Sequence, residues 1–434
     1  MRCKTLLGGI LSLAVLGFAQ RDDAVFLLPP DHPAIQYGVL PANDPVSALN
    51  RDIQERLVHL EFHGPQGYLQ SVLEALKVPI ESQMMVYSKT SFQSEIIQPS
   101  NPRALFFNDQ VTVGYVHGGF IELATQDSRQ GVSFYTLEQS PKDKPVFVRR
   151  DDCLRCHVSY ATLGVPGMLV RSVMTASDGR AEPQFGQYIS DHRSPITERW
   201  GGWYVTGQNT SMEHMGNMPI TNSGMPESAA TFNSTPKSLL GRFNADFYPS
   251  PYSDVVALMV FDHQMHMTNL LTQIGWEARY REYRSQIEPS TPGEVADGFE
   301  VAIPDIAYIA NELVDYLLFV DEPSLKNPIQ GTSGFAKKFS RQGPNDSKGR
   351  SLRQFDLRRR LMRYPCSYMI YSPAFDTLPK PAKDAIYKRM WEILSGREKG
   401  GKYAALSLSD RQAVEEILRE TKKDLPSYFQ PIAH

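Results

Sequence analysis

Cysteine is scarce in this chain, with four in 434 residues. Cys3 lies ahead of an apolar N-terminal run, and Cys153, Cys156 and Cys366 follow it, an odd number that supplies no disulfide framework. Charge of one sign is scarce as well. Lys and Arg total 45 against 48 Asp and Glu, a net charge of −3, so composition makes no electrostatic case for nucleic acid. No segment reaches the roughly 18 uninterrupted apolar residues of a membrane span. No internal repeat and no second Cys-x-x-Cys pair occurs. The remainder is ordinary, 41% hydrophobic and 21% charged, in a chain long enough for two or three domains. Information is therefore concentrated in short segments.

The first is the N-terminus. Arg2 and Lys4 precede an uncharged apolar run from Leu6 to Phe18, and Gly17-Phe18-Ala19 fits the small-x-small rule for signal-peptide cleavage. Gln20-Arg21-Asp22-Asp23 then ends any apolar continuation. Residues 1–19 are expected to be a signal peptide and the mature chain to be exported, in a bacterium to the periplasm.

The second is Cys153-Leu154-Arg155-Cys156-His157. Two thiols separated by two residues can each add to one haem vinyl group, and the histidine that follows is placed to ligate the iron. A thioredoxin-like dithiol is expected at a strand-to-helix junction, but the polar Arg149-Arg150-Asp151-Asp152 stands here instead. Zinc would call for further ligands, and a structural disulfide between the two cysteines is the plain alternative. The motif therefore predicts one covalent haem c, with Cys153 and Cys156 binding the cofactor and His157 binding the metal.

Periodicity predicts an α+β protein. Residues 20–100 read as an N-terminal helical region, with Leu49, Ile53, Leu57 and Leu60 on one face and a second helix over Tyr68–Leu76. Residues 101–250 combine a small antiparallel meander with a loop-rich haem region. Its strands are Leu105–Phe107, Val111–Val116, Phe120–Leu123 and Val132–Leu137, with briefer ones at Met168–Val173 and Trp203–Val205. Residues 251–434 read as mainly helical, over Asp254–Arg284, Ile306–Phe319, Leu352–Tyr371, Lys380–Leu394 and Asp410–Asp424.

The sixth iron ligand separates electron transfer from small-molecule chemistry. Met212, His214, Met215 and Met218 share one loop, and Met218 precedes a proline at a spacing like that of small class I cytochromes c. His192 follows Asp191 in a turn, and His263 and His266 are spaced to share one face of the long helix. Each of His214, Met218, His192 and His263 stays a candidate, as does an open position. Trp200-Gly201-Gly202-Trp203-Tyr204 suits a porphyrin wall or ordinary core, and Arg149 and Arg150 suit haem propionates or solvent.

Several segments together resemble a family of exported bacterial proteins described as cytochrome c domain-containing. They are Arg103–Asp109, Cys153–His157, Glu198–Gly207, His214-Met215-Gly216-Asn217 and Arg363-Tyr364-Pro365-Cys366-Ser367-Tyr368. The resemblance spans most of the mature chain and implies haem, and its His-Met-Gly-Asn element points to His214 as the distal metal ligand. The expected activity is electron transfer with a redox partner protein. The alternative is a haem-dependent, peroxidase-like oxidoreductase with a small-molecule substrate.

Overall fold

A computed structural model describes residues 28–208, 212–220, 235–287, 305–398 and 400–432. The expected signal peptide lies outside the described residues. The chain is α+β. Its helices are α1 (Pro45–Gln54), α2 (Leu69–Ala75), α3 (Leu154–His157), α4 (Val255–Ile287), α5 (Ile306–Leu317), α6 (Phe335–Ser340), α7 (Pro373–Asp376), α8 (Lys380–Leu394) and α9 (Leu408–Thr421). Its strands are β1 (Met84–Val86), β2 (Arg103–Phe107), β3 (Val111–Tyr115), β4 (Ile121–Asp127), β5 (Gly131–Leu137), β6 (Val148–Arg149), β7 (Val170–Val173), β8 (Thr175–Ala176), β9 (Gln187–Ser190), β10 (Trp203–Tyr204) and β11 (Pro219–Ile220).

The expected meander, β2 to β5, sits inside a seven-stranded antiparallel sheet of order β10-β1-β2-β3-β4-β5-β6. Alternation along β4 shows how the sheet is used. Ile121, Leu123, Thr125 and Asp127 are buried, whereas Glu122, Ala124 and Gln126 are half-buried on the opposite face. The first face packs on α1 and α2 through Val46, Leu49, Ile53, Leu69 and Val72. Asp44 caps α1, its carboxylate accepting from the backbone of Val46 and Ser47 at 2.9 Å each. The second face meets α4, with Met84, Val86, Leu105 and Phe107 in one cluster with its apolar residues.

Helix α4 is buried from Val255 to Met265 and from Met267 to Ala278, so it runs through the middle of the molecule. Asp254 starts it, with Oδ1 accepting from Val256 N at 2.8 Å and Ala257 N at 3.2 Å. Its other oxygen accepts from Thr332 N at 2.6 Å and Ser333 N at 2.8 Å. Helix α5 packs between α4 and α8, and α9 on α8.

Two helical readings change. Helix α1 ends at Gln54, which leaves Leu57 71% exposed and off the expected face. The helix expected over Leu352–Tyr371 is absent apart from a 3-10 turn at Tyr368–Tyr371. Leu357 adopts a φ of 54°, Pro365 has no N–H to donate, and Leu361 N donates to Glu322 Oε1 at 2.8 Å rather than up a helix.

Candidate functional site

The Cys-x-x-Cys-His segment sits where the sheet ends. Strand β6 pairs with β5, and Arg150 N donates to Phe134 O at 2.9 Å. A 3-10 turn over Asp151–Cys153 then leads into the single turn of α3. Residues three apart on such a turn share a face, so the two thiols are presented together. Both are free, Cys156 exposed and Cys153 half-buried. Arg149 and Arg150 pair with Asp151 and Asp152, two residues on, and lie over the rings of Tyr37 and Phe92. Their charges are thereby balanced within the segment itself.

The chemistry of these thiols separates the readings of the motif. Burial, reinforced by the Asp152 carboxylate, pushes the Cys153 thiol up to about 11. A dithiol oxidoreductase needs the reverse, a thiolate stabilised near neutral pH. Among the described residues no third histidine, cysteine or carboxylate joins them in metal-binding geometry, and a tetrahedral zinc site takes four ligands.

His157 is half-buried at the end of α3, with the Phe134 ring at 4.5 Å. Its Nδ1 lies 2.8 Å from the carbonyl oxygen of Gly167. A carbonyl only accepts, so Nδ1 carries the proton and Nε2 keeps its lone pair. Among the described residues nothing hydrogen-bonds Nε2. Burial holds the imidazole below its ordinary range and therefore neutral, although the Gly167 bond opposes this. A metal-binding histidine has this form, one nitrogen donating to a carbonyl and the other free for the metal. Two co-facial thiols beside a neutral, carbonyl-oriented imidazole fit a covalently held haem. The half-buried sheet face lies nearby and carries an Arg103 Nη1–Glu122 Oε2 pair at 2.8 Å. Gly114 lies between them, and a Cβ there would stand 3.3 Å from both Glu122 Oε2 and Leu105 Cδ2, so either side chain would have to give slightly to admit one.

His214 is placed differently. It is 3% exposed, and burial lowers it to about 4. Its Nδ1 accepts from Gly216 N at 3.0 Å, so the proton sits on Nε2, which is 3.2 Å from Thr235 Oγ1. Ligation through Nε2 would require a change of tautomer and loss of the Thr235 bond. The rest of the His-Met-Gly-Asn element is a buried turn docked beside β10. Asn217 bonds both backbone groups of Val205, at 2.9 and 3.0 Å. Met218 packs with Met174 and Met215 in a small sulfur-rich cluster.

The other candidates belong to the core. His192 Nδ1 lies 2.7 Å from His263 Nδ1, and His263 Nε2 lies 2.7 Å from Ser367 Oγ. The His263 ring stacks on Tyr316, and the His192 ring lies tilted against it at 3.9 Å. Asp191 bonds the backbone of Arg193 and Ser194 rather than His192. Trp200 and Trp203 are buried, their indole N–H groups donating to Asp262 Oδ2 at 3.0 Å and Arg171 O at 2.8 Å. The acceptor that orients His157 escapes sequence reasoning, because a backbone carbonyl has no side-chain signature. The Pro166-Gly167 turn signal shortly after the motif is the only trace of it.

Compared with known protein families, curated proteins and solved structures, the chain matches none.

Proposed function

We propose that this chain is an exported mono-haem c-type cytochrome that transfers electrons to or from a redox partner protein. The observation that carries the reading is the state of His157, with Nδ1 bonded to the Gly167 carbonyl and Nε2 without a hydrogen-bond partner among the described residues, on the same helical turn as two free thiols. Bound there, haem would supply a one-electron iron couple. The chain's own contribution is to attach, orient and partly bury that group. Cys153 and Cys156 would attach it, and His157 would ligate the iron. A signal-peptide-like N-terminus agrees with attachment outside the cytoplasm.

The second reading is a haem-dependent oxidoreductase with an open iron position. It is favoured by the hydrogen bonds that occupy both nitrogens of His214, since ligation through Nε2 would break both and ligation through Nδ1 would break the Gly216 bond. One set of measurements tests both. The purified protein should give a c-type pyridine haemochrome and a mass one haem above the polypeptide; absence of either overturns the proposal. A ferrous spectrum unmoved by carbon monoxide marks the electron carrier, and prompt carbon monoxide binding marks the open site.

A further inference from the structure

We propose that Asn269, on the central helix α4, is the positioning residue that sets the orientation of His157 and thereby tunes the iron. The inference rests on the reading of His157 as an iron ligand.

Asn269 is 1% exposed and clamps both backbone groups of Met168. Met168 N donates to Oδ1 at 2.9 Å, and Nδ2 donates to Met168 O at 2.7 Å. The neighbouring Gly167 is joined to His157 by two bonds of its own. Gly167 N donates to His157 O at 3.0 Å, and Gly167 O accepts from Nδ1 at 2.8 Å. Val132 N, on β5, holds the segment from the opposite side through Pro166 O at 3.0 Å. The carboxamide lies directly against Gly167, where a Cβ would stand 2.2 Å from Asn269 Oδ1.

The strip 166–168 is therefore gripped between the sheet and α4, and the carbonyl that orients the imidazole cannot shift alone. A carboxamide can satisfy a peptide N–H and C=O together, whereas a carboxylate has no donor and an alanine has neither. The partner of a ligand histidine's second nitrogen governs how strongly the first donates to the metal. Asn269 thus acts on the iron without contact, through the single Gly167–Met168 peptide unit, whose N–H donates to it and whose C=O accepts from the imidazole, and it does so from the buried central helix. Thr272, three residues further along α4, bonds Gln126 Nε2 at 3.1 Å and Thr268 O at 2.9 Å and makes no hydrogen bond to residues 166–168, which makes it the hydrogen-bond control.

The test uses haem-loaded full-length protein: wild type, Asn269→Ala, Gly167→Ala and Thr272→Val. Haem content is measured by pyridine haemochrome, the midpoint potential by redox titration and stability by thermal melting. Both Asn269→Ala and Gly167→Ala should retain covalent haem and raise the potential. The expected shift corresponds to about a tenfold loss of ferric preference, about 59 mV for a one-electron couple. Gly167→Ala reaches the same clamp from its other side, so it decides the matter if Asn269→Ala does not fold. Thr272→Val should lower the melting point at unchanged potential. Loss of stability with an unchanged potential in the two clamp variants would overturn the proposal while leaving the haem reading intact. Wild-type protein without covalent haem would overturn both.

Discussion

Replacing Asp254 with asparagine separates two descriptions of this residue. At an ordinary helix N-cap, asparagine and aspartate are nearly equivalent, because one side-chain oxygen suffices. Asp254 uses both of its oxygens. Four backbone N–H groups converge on it, Val256 and Ala257 on Oδ1, Thr332 and Ser333 on Oδ2. The carboxylate is buried, and a Cβ on Gly331 would lie 2.5 Å from it, so there is no room for rearrangement. In Asp254→Asn one side of the new amide faces N–H groups with its own NH₂, whichever way it flips. Two buried donors then lose their acceptor, a cost of roughly 2–3 kcal/mol at the usual penalty for unsatisfied groups. Asp254→Ala adds the loss of the cap, about 1 kcal/mol more, for roughly 3–4 kcal/mol in all against a typical total stability of about 5–15 kcal/mol. Urea denaturation of the three proteins, followed by tryptophan fluorescence, reads the difference directly. An Asp254→Asn protein within about 0.5 kcal/mol of wild type would refute the two-sided account.

Three further outcomes are expected. Replacing Cys153 and Cys156 together by serine should abolish covalent haem while leaving the far-ultraviolet dichroism of the folded chain unchanged; haem that survives denaturing electrophoresis in that variant would contradict the attachment chemistry. His214→Ala should cost about 2–3 kcal/mol through two lost hydrogen bonds and the space left behind, with an unaltered ferric spectrum; a new high-spin band would make His214 an iron ligand after all. Burial pushes the Asp262 carboxyl up to about 7, against opposing help from Arg199 and Trp200. A carboxyl whose folded pKa exceeds its unfolded one favours the folded state at low pH, and this contribution is lost as pH rises from about 4 to about 7. Asp262→Asn should therefore flatten the decline of stability across that interval, and an unchanged slope would count against it.

Much of the architecture was legible where one signal sufficed. The strands around Phe106, Val113 and Leu123 declared themselves by β-branched and aromatic runs. Helix α4 did so by length, and α8 and α9 by period. Leu352–Tyr371 misled because its apolar spacing mimics a helix while its backbone bonds go to distant partners, among them Glu322. Strand β1 was not legible at all. Met84-Met85-Val86 is too short to carry a period, and its strand character comes from neighbours at Arg103–Leu105 and Trp203–Tyr204. At the candidate site the contrast is sharper. The spacing of Cys153, Cys156 and His157 could be read from the sequence because covalent chemistry demands it. Gly167 and Asn269 could not, because they act through backbone groups brought together across about a hundred residues.

The pairing of β1 with β10 has a consequence in time. A chain that crosses a membrane N-terminus first delivers residues 153–157 before 203–204, and 203–204 before α4. The sheet cannot acquire its last edge, nor the 166–168 strip its clamp, until well after the two thiols have emerged. Under the proposed function, bond formation at Cys153 and Cys156 would meet an open and pliable segment. The imidazole would be locked only when Asn269 arrives, so attachment and tuning would be successive events in the life of the chain.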